Sequence, residues 1–306
     1  MNATVVGASG YSGRQLVSLL IQHPKINLVE VTSRAYSGKT VESCIPNLRG
    51  KTKGLVFTNP SIEELSKNSK CELFFLALPH GTAASYAIPL LEAGKKVIDL
   101  SADFRLLTPE CYEEFYGTPH PAPEWLKKAT YGLPEIHSFT WDDSPLIASP
   151  GCYPTSILIP LFPLLKDQLI EENDIVANSM SGVSGAGRTA SEKLLYCERN
   201  ESASAYGLPK HRHLSEIEEQ LSLAVTNKII ISFHPHLAPM NRGICSTISA
   251  RAKAGSTRKQ VWDCWNDFYR GRKFVHLLEE GEFPDVSHVV GTNRIDLSVN
   301  HDTRTG

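Results

Sequence analysis

The sequence predicts an α/β fold in two domains. Three observations lead there. Through the first half, short apolar strands alternate with amphipathic stretches, the pattern of βαβ units and a mostly parallel sheet. After Cys152 the pattern changes to longer strands with helices between them. The chain has 306 residues, enough for two domains of about 100–200 residues each.

The elements follow in order. Ala3-Thr4-Val5-Val6 is the first strand and Gly7–Gly13 the turn after it. Leu16, Leu19, Leu20 and His23 keep helical spacing, and Pro24 ends that helix. Asn27–Thr32 reads as the second strand, and Leu73–Ala77 as a buried strand leading to Leu78-Pro79-His80-Gly81. Ala83 to Ala93 is a helix closed by Gly94, and Lys96–Leu100 is another strand. Residues 104–145, rich in Pro, aromatics and charge, read as an irregular excursion before Leu146-Ile147-Ala148 resumes the sheet. Beyond Cys152, strands are expected at Asp174–Asn178, Lys228–Phe233 and Gly243–Ala250, and helices at Leu214–Ala224 and Thr257–Tyr269. The boundary falls near Cys152, giving domains 1–151 and 152–306, with a site expected in the cleft between them.

Composition excludes several classes. Hydrophobic content of 41%, charged content of 21% and a net charge of -2 describe an ordinary globular chain. No global basic footprint for nucleic acid or an anionic membrane is present. Seven cysteines without paired spacing point to reduced thiols and the cytoplasm. An organelle matrix is the alternative if a transit segment has been removed. No apolar run approaches the roughly 20 residues of a membrane span.

Gly7-Ala8-Ser9-Gly10-Tyr11-Ser12-Gly13 has glycines three apart. It follows a strand and opens a helix, which is the context a Rossmann-like dinucleotide fingerprint requires. Glycines there let the backbone approach a pyrophosphate at the helix N-terminus. The end of the second strand chooses the cofactor. NAD sites usually place an acidic residue there for the ribose 2′-OH, whereas this chain reads Thr32-Ser33-Arg34. A hydroxyl and a guanidinium suit a 2′-phosphate, so NADP(H) is expected. The alternative for Arg34 is a solvated surface side chain.

Ser149-Pro150-Gly151-Cys152-Tyr153-Pro154-Thr155 puts one thiol at a strand-to-helix corner. The unpaired N–H groups and positive dipole end of a helix favour thiolate, the nucleophilic form. A nucleophilic cysteine plus a redox cofactor points to acyl or aldehyde redox chemistry; a buried inert cysteine is the plain alternative. Ser181–Arg188 is a second small-residue loop whose N–H groups would form an anion nest, with Arg188 as charged donor. Lys210-His211-Arg212-His213 precedes a helix and offers a general acid/base beside anion-binding groups. The pairs His211/His213 and His234/His236 raise a metal site as a rival, but no recognisable ligand set completes it. Ser101-Ala102-Asp103-Phe104-Arg105-Leu106 follows a strand at the end that faces the ligand crevice in open parallel sheets. Asp103 and Arg105 there either form a structural ion pair or hold substrate.

Assembled, these segments resemble the N-acetyl-gamma-glutamyl-phosphate reductases of the aspartate-semialdehyde-dehydrogenase-like superfamily. The carrying motifs are Gly7–Gly13, Ser101–Leu106, Tyr131-Gly132-Leu133-Pro134-Glu135, Pro150–Thr155, Ser181–Arg188, His211-Arg212-His213, Pro235-His236-Leu237 and Arg242-Gly243-Ile244. They occur in the family's order across almost the whole chain.

The resemblance implies NADPH-dependent reduction of N-acetylglutamyl 5-phosphate to N-acetylglutamate 5-semialdehyde with release of inorganic phosphate, in arginine biosynthesis. It implies a second, α+β domain with a mixed sheet for substrate and dimerisation. Cys152 matches the nucleophile and His211 the acid/base, with His213 next in line. Gly7 through Gly13, Ser33, Arg34, Leu78, Pro79, His80 and Ser101 fall to the cofactor. Arg105, Ser184, Gly185, Arg188, Arg212 and His213 fall to the substrate. A homotetramer is implied, with the second-domain sheet as interface. Family members usually continue for some tens of residues past Leu297-Ser298-Val299 and add a helix, which is expected to be missing here. Two rivals stand beside this reading. One is the homologous N-acetyl-aminoadipyl-phosphate reductase of lysine biosynthesis; the other is a non-catalytic NADP-binding protein.

Overall fold

The computed structural model describes residues 1–306. Contacts divide the chain into two units. Met1–Gly132 and Phe139–Pro150 form the first; Leu133–Ser138 and Gly151–Gly306 form the second.

The first unit is built on seven parallel strands: β1 (Asn2–Val6), β2 (Asn27–Thr32), β3 (Phe57–Thr58), β4 (Leu73–Leu76), β5 (Lys96–Asp99), β6 (Thr130–Tyr131) and β7 (Leu146–Ala148). Their order is β3-β2-β1-β4-β5-β7-β6. The central strands are buried on both faces, so β4 reads Leu-Phe-Phe-Leu without polar alternation. One core cluster packs Val17, Leu20, Val31 and Phe57, and another packs Phe74, Ala84, Leu90 and Leu146. The chain reverses sense of order between β1 and β4, the switch point where open α/β sheets bind ligands.

Residues 104–145 are not irregular throughout. Helices span Pro109–Tyr116 and Pro123–Leu126, each with Pro at its start. Thr108 caps the longer one by accepting from Cys111 N–H. The prolines that suggested a loop are first-turn prolines, whose missing N–H costs nothing there. Strand β6 then adds to the sheet beside β7.

The second unit holds a mixed sheet of β8 (Ile175–Ser181), β9 (Ser204–Ala205), β10 (Ile231–Leu237) and β11 (Ile244–Ser249), in the order β11-β8-β10-β9. β10 runs parallel to β8, and β11 and β9 run antiparallel to their neighbours. A parallel pair, β12 (Val275–Leu277) and β13 (Ile295–Leu297), lies apart from it. β10 starts three residues later than the expected start at Lys228, because Ile229 N–H donates to Ser222 Oγ instead of a ladder. It continues through His234-Pro235-His236. Pro235 is tolerated because the ladder to β9 involves only His236 and Leu237.

The helix Cys152–Lys166 carries Pro160 and Pro163 in its interior. Pro163 has no N–H for the Ile159 carbonyl; Tyr269 Oη donates to that carbonyl at 2.5 Å. Trp265 Nε1 donates to Pro160 O at 2.9 Å. The helix Arg258–Phe268, started by a Thr257/Gln260 capping box, supplies Trp265, and Tyr269 follows at its end. No helix is long and apolar enough to cross a membrane.

Candidate active site

In the glycine loop each glycine has its own geometric reason. Gly7 has φ +81°, and a Cβ there would lie 2.4 Å from Ala77 O at the end of β4. A Cβ on Gly13 would lie 2.5 Å from Gly7 O, so this glycine sets the contact between the helix Tyr11–Leu20 and the turn. Gly10 is different: the nearest atom to its Cβ position is 3.8 Å away. It is the N-cap, makes no side-chain cap, and no acidic residue occupies the first turn. The helix end is therefore open to an anion from outside. Ala8 N–H is taken by Thr32 O at 2.9 Å, locking the turn to β2. Tyr11 and Ser12 are exposed at the helix start.

Ser33 is buried and its hydroxyl donates to Ser9 Oγ at 2.9 Å, joining the end of β2 to the loop. Arg34 is exposed, with Nη2 3.4 Å from Tyr86 Oη. This charge stands where an NAD site would place its carboxylate. Leu78, Pro79 and His80 follow β4; the His80 ring stands 5.7 Å from that of Tyr116. Ser101 donates from N and Oγ to the two oxygens of Asp99, at 2.9 and 2.7 Å. Arg105 donates from Nε to Ser149 O at 2.7 Å and from Nη2 to Leu100 O at 3.0 Å. Burial pushes the Asp99 carboxyl up to about 7, with the Ser101 hydrogen bonds pulling against it.

In the second unit, Cys152 is exposed and is the first residue of a helix whose N-cap, Gly151, has no side-chain cap. Thr155 closes the turn, donating from N and Oγ1 to Gly151 O. Gly151 is required by close approach. A Cβ there would meet His213 Nε2 at 2.9 Å, Pro154 Cδ at 2.9 Å and Glu216 Oε2 at 3.0 Å. Glu216 is buried and accepts from Gly151 N–H at 2.8 Å. His213 and Glu216 lie three apart on the helix His213–Ser222, one face of one turn.

His211 lies in an aromatic enclosure. Its ring centroid is 5.7 Å from Tyr153, 5.5 Å from Tyr206, 5.5 Å from Phe233 and 5.0 Å from His213. Its Nδ1 accepts from His213 N–H at 3.1 Å, so it caps the helix that carries His213. Burial, aided by the Arg212 guanidinium, pulls His211 down to about 4. The ring is neutral at physiological pH, with Nδ1 as acceptor. Arg212 is exposed at the N-cap.

The small-residue loop does not form the expected nest. N–H groups of Gly182, Val183 and Ser184 donate to carbonyls of Gly243, Met240 and Asn241, and those of Gly185 and Gly187 donate within the loop. A nest needs donors turned outward; these are used to fasten the loop to the turn before β11. Ser184 and Gly185 are thus held by their backbone, and Arg188 is exposed at the loop's end. Of the two other histidines, His234 Nδ1 pairs with Asn178 Oδ1 and His236 Nδ1 with His234 O.

Glu216 and the rings of Tyr206 and Phe233 are site features that motif reading passes over. A sequence signal existed for one of them: Glu216 stands at helical spacing from His213.

A parallel sheet with a glycine loop after its first strand, followed by an exposed cysteine at a helix start, is the arrangement of a nicotinamide-dependent dehydrogenase. Residues 2–143 match the semialdehyde dehydrogenase NAD-binding domain and residues 152–306 the semialdehyde dehydrogenase dimerisation domain. A protein of Akkermansia muciniphila called N-acetyl-gamma-glutamyl-phosphate reductase is 48% identical over 306 residues, covering 100% of this chain and 88% of the relative. A Geobacter metallireducens protein of the same name is 44% identical with the same coverages. Among solved structures, aspartate semialdehyde dehydrogenase II from Vibrio cholerae superposes with a TM-score of 0.71 at 18% identity, over 97% of this chain and 87% of that one. The chain belongs to the semialdehyde dehydrogenase family, in its N-acetyl-gamma-glutamyl-phosphate reductase branch.

Proposed function

We propose that this protein reduces N-acetyl-L-glutamyl 5-phosphate to N-acetyl-L-glutamate 5-semialdehyde and phosphate, the arginine-biosynthetic step its relatives are named for. The observation that carries the chemistry is Cys152 at the start of its helix, with His213 Nε2 and Glu216 close to the preceding Gly151. The helix end stabilises the Cys152 thiolate. That thiolate attacks the acyl carbon, the bond to the phosphate oxygen breaks, and a thioester to Cys152 remains. NADPH, when bound, supplies the hydride that reduces this thioester. His213 gives a proton to the oxygen of the resulting thiohemiacetal. It takes that proton back as the carbon–sulfur bond breaks, releasing the aldehyde and restoring the thiolate.

His213 takes the proton-transfer role in this reading because it borders the thiol's turn. His211, which family resemblance points to first, serves as the neutral cap that orients it. The glycine loop fits a dinucleotide: two glycines close the turn and the third leaves its helix end open. Arg34 and the absence of a carboxylate after β2 favour NADPH over NADH. Leu78, Pro79, His80 and Ser101 line the same sheet edge and are assigned to the cofactor. Arg188 and Arg212, both exposed cations, are assigned to the substrate's phosphate and carboxylate.

The dimerisation domain makes a homo-oligomer. The open face of the mixed sheet, including Asn178, Met180, Cys245 and Thr247, is uncharged and exposed, which favours it as the contact between copies. A tetramer is the expected assembly, in the cytoplasm.

The test runs the reaction backwards from N-acetylglutamate 5-semialdehyde, NADP+ and phosphate, following the reduced nicotinamide. A rate that needs phosphate and is lost in Cys152→Ser supports the reading. Equal or faster turnover of the semialdehyde one methylene longer would move the protein to the lysine branch.

A further inference from the structure

The segment Ser101–Leu106 is buried at every residue, yet three of its side chains are polar or charged. Such burial demands partners: Ser101 finds its own in Asp99, while Asp103 reaches the loop after β4 and Arg105 the end of β7. The Asp103 carboxylate is inaccessible to solvent. One oxygen accepts from Gly81 N–H at 2.7 Å, and the other from Ala84 N–H at 3.0 Å. Tyr112 Oη donates to it at 3.3 Å. The helix Ala83–Glu92 has no side-chain cap from its own N-cap residue, Thr82. Asp103 therefore caps it from a distance and fixes the loop carrying Leu78, Pro79 and His80.

Two residues on, Arg105 holds Ser149 O and Leu100 O. Ser149 lies three residues before Cys152, and its own N–H donates to Asp99 O at 2.8 Å. One guanidinium thus pins the end of β7 against the end of β5.

We infer that Asp103 and Arg105 are positioning residues of a single clamp, Asp103 for the cofactor loop and Arg105 for the turn that delivers the nucleophile. The Asp103 half rests on the assignment of Leu78–His80 to the cofactor. Arg105 acts on Cys152 through the Ser149 carbonyl, so its loss alters the thiol and the turnover, leaving substrate affinity unchanged. A substrate-binding arginine would do the reverse.

Two variants separate these outcomes. Asp103→Asn keeps the shape and removes the charge that holds two N–H donors. It should weaken NADPH binding, read by fluorescence titration, about tenfold, the scale of one charged hydrogen bond, with Cys152 alkylation by iodoacetamide unchanged. Arg105→Lys keeps the charge but loses the planar fork whose Nε and Nη2 reach the two carbonyls from separate nitrogens. It should lower kcat and the alkylation rate of Cys152 about tenfold, with NADPH affinity and semialdehyde KM within twofold.

An Arg105→Lys enzyme with raised KM and unaltered thiol reactivity would overturn the clamp and make Arg105 a substrate ligand. Unchanged NADPH affinity in folded Asp103→Asn would overturn the Asp103 half. If Asp103→Asn does not fold, Tyr112→Phe removes one donor to the same carboxylate; a smaller loss of NADPH affinity supports the clamp and no loss overturns it. The NADPH-binding and alkylation readouts do not depend on which semialdehyde is the substrate. Inactivity toward N-acetylglutamate 5-semialdehyde, with the binding and alkylation shifts present, would sink the proposed reaction and leave the clamp standing.

Discussion

The glycine loop and the thiol corner are the same local structure put to opposite uses. Each is a strand, a short turn and a helix whose N-cap is glycine: Gly10 at φ -70°, ψ 171° and Gly151 at φ -67°, ψ 157°. Neither cap carries a side-chain hydrogen bond. A Cβ added to Gly10 would meet nothing closer than 3.8 Å, whereas one added to Gly151 would meet His213, Pro154 and Glu216 at 2.9–3.0 Å. The first corner is shaped by backbone against backbone and leaves its helix end to a ligand. The second is shaped by side chains from the helix His213–Ser222, and an internal carboxylate already takes the Gly151 N–H. A positive helix end has no fixed function. What differs is the packing against the N-cap: open space at Gly10, a carboxylate and an imidazole at Gly151.

Substitution of the nucleophile is the most drastic way to set the corners apart. Cys152→Ser should reduce turnover by more than about 10⁴-fold while NADPH titration is unchanged. Weakened NADPH binding in that variant would mean the corners are not separable.

The histidines come next. His213→Ala should slow turnover about 10²–10³-fold, the scale of a lost acid/base. His211→Ala should cost about tenfold, since it removes a cap and a packed ring and leaves the proton-transfer group in place. A kcat series that ranks His211 above His213 would reverse the two roles.

Within the first corner, Gly13 and Gly10 should part company. Gly13→Ala drives a Cβ into the Gly7 carbonyl and should cost about 1–3 kcal/mol of stability, read by denaturant unfolding. Gly10→Ala meets open space, so it should leave stability nearly unchanged and weaken NADPH binding severalfold. If Gly10→Ala unfolds the protein and binds cofactor normally, the open corner is structural after all.

The two corners were not equally legible in the sequence. The glycine pattern is local: the contact that demands Gly13 lies within Gly7–Gly13 and the one that demands Gly7 lies at Ala77–Leu78, so spacing alone announced it. Ser33 and Arg34 were found because the second strand ends beside the first in any such sheet. The thiol corner draws on Glu216 and Tyr206, more than fifty residues away, and no periodicity links them to Cys152. Spacing named both histidines but could not say which ring faces Gly151 and which sits among aromatics. The loop Ser181–Arg188 misled for a related reason. Its glycines do supply N–H donors, but the partners at Met240–Gly243 come from a turn about sixty residues later.

The smallest effect is one of pH, and here too the two units oppose each other. Asp99 is raised from an ordinary 3.8 to about 7 by burial. The unfolded chain releases that proton near 3.8 and the native state holds it until about 7, so the native state loses ground as pH rises across that window. His211 is lowered from 6.5 to about 4. The unfolded chain takes up a proton below 6.5 and the native state refuses it until about 4, so here the native state loses ground as pH falls. Asp99→Asn, neutral at every pH, should remove the first loss alone. Thermal midpoints at pH 5 and pH 8 then differ from those of the parent protein in one direction: the variant gains about 2–4 °C at the higher pH relative to the lower. An equal shift at both would mean that Asp99 is already ionised in the folded protein and that Ser101 compensates its burial in full.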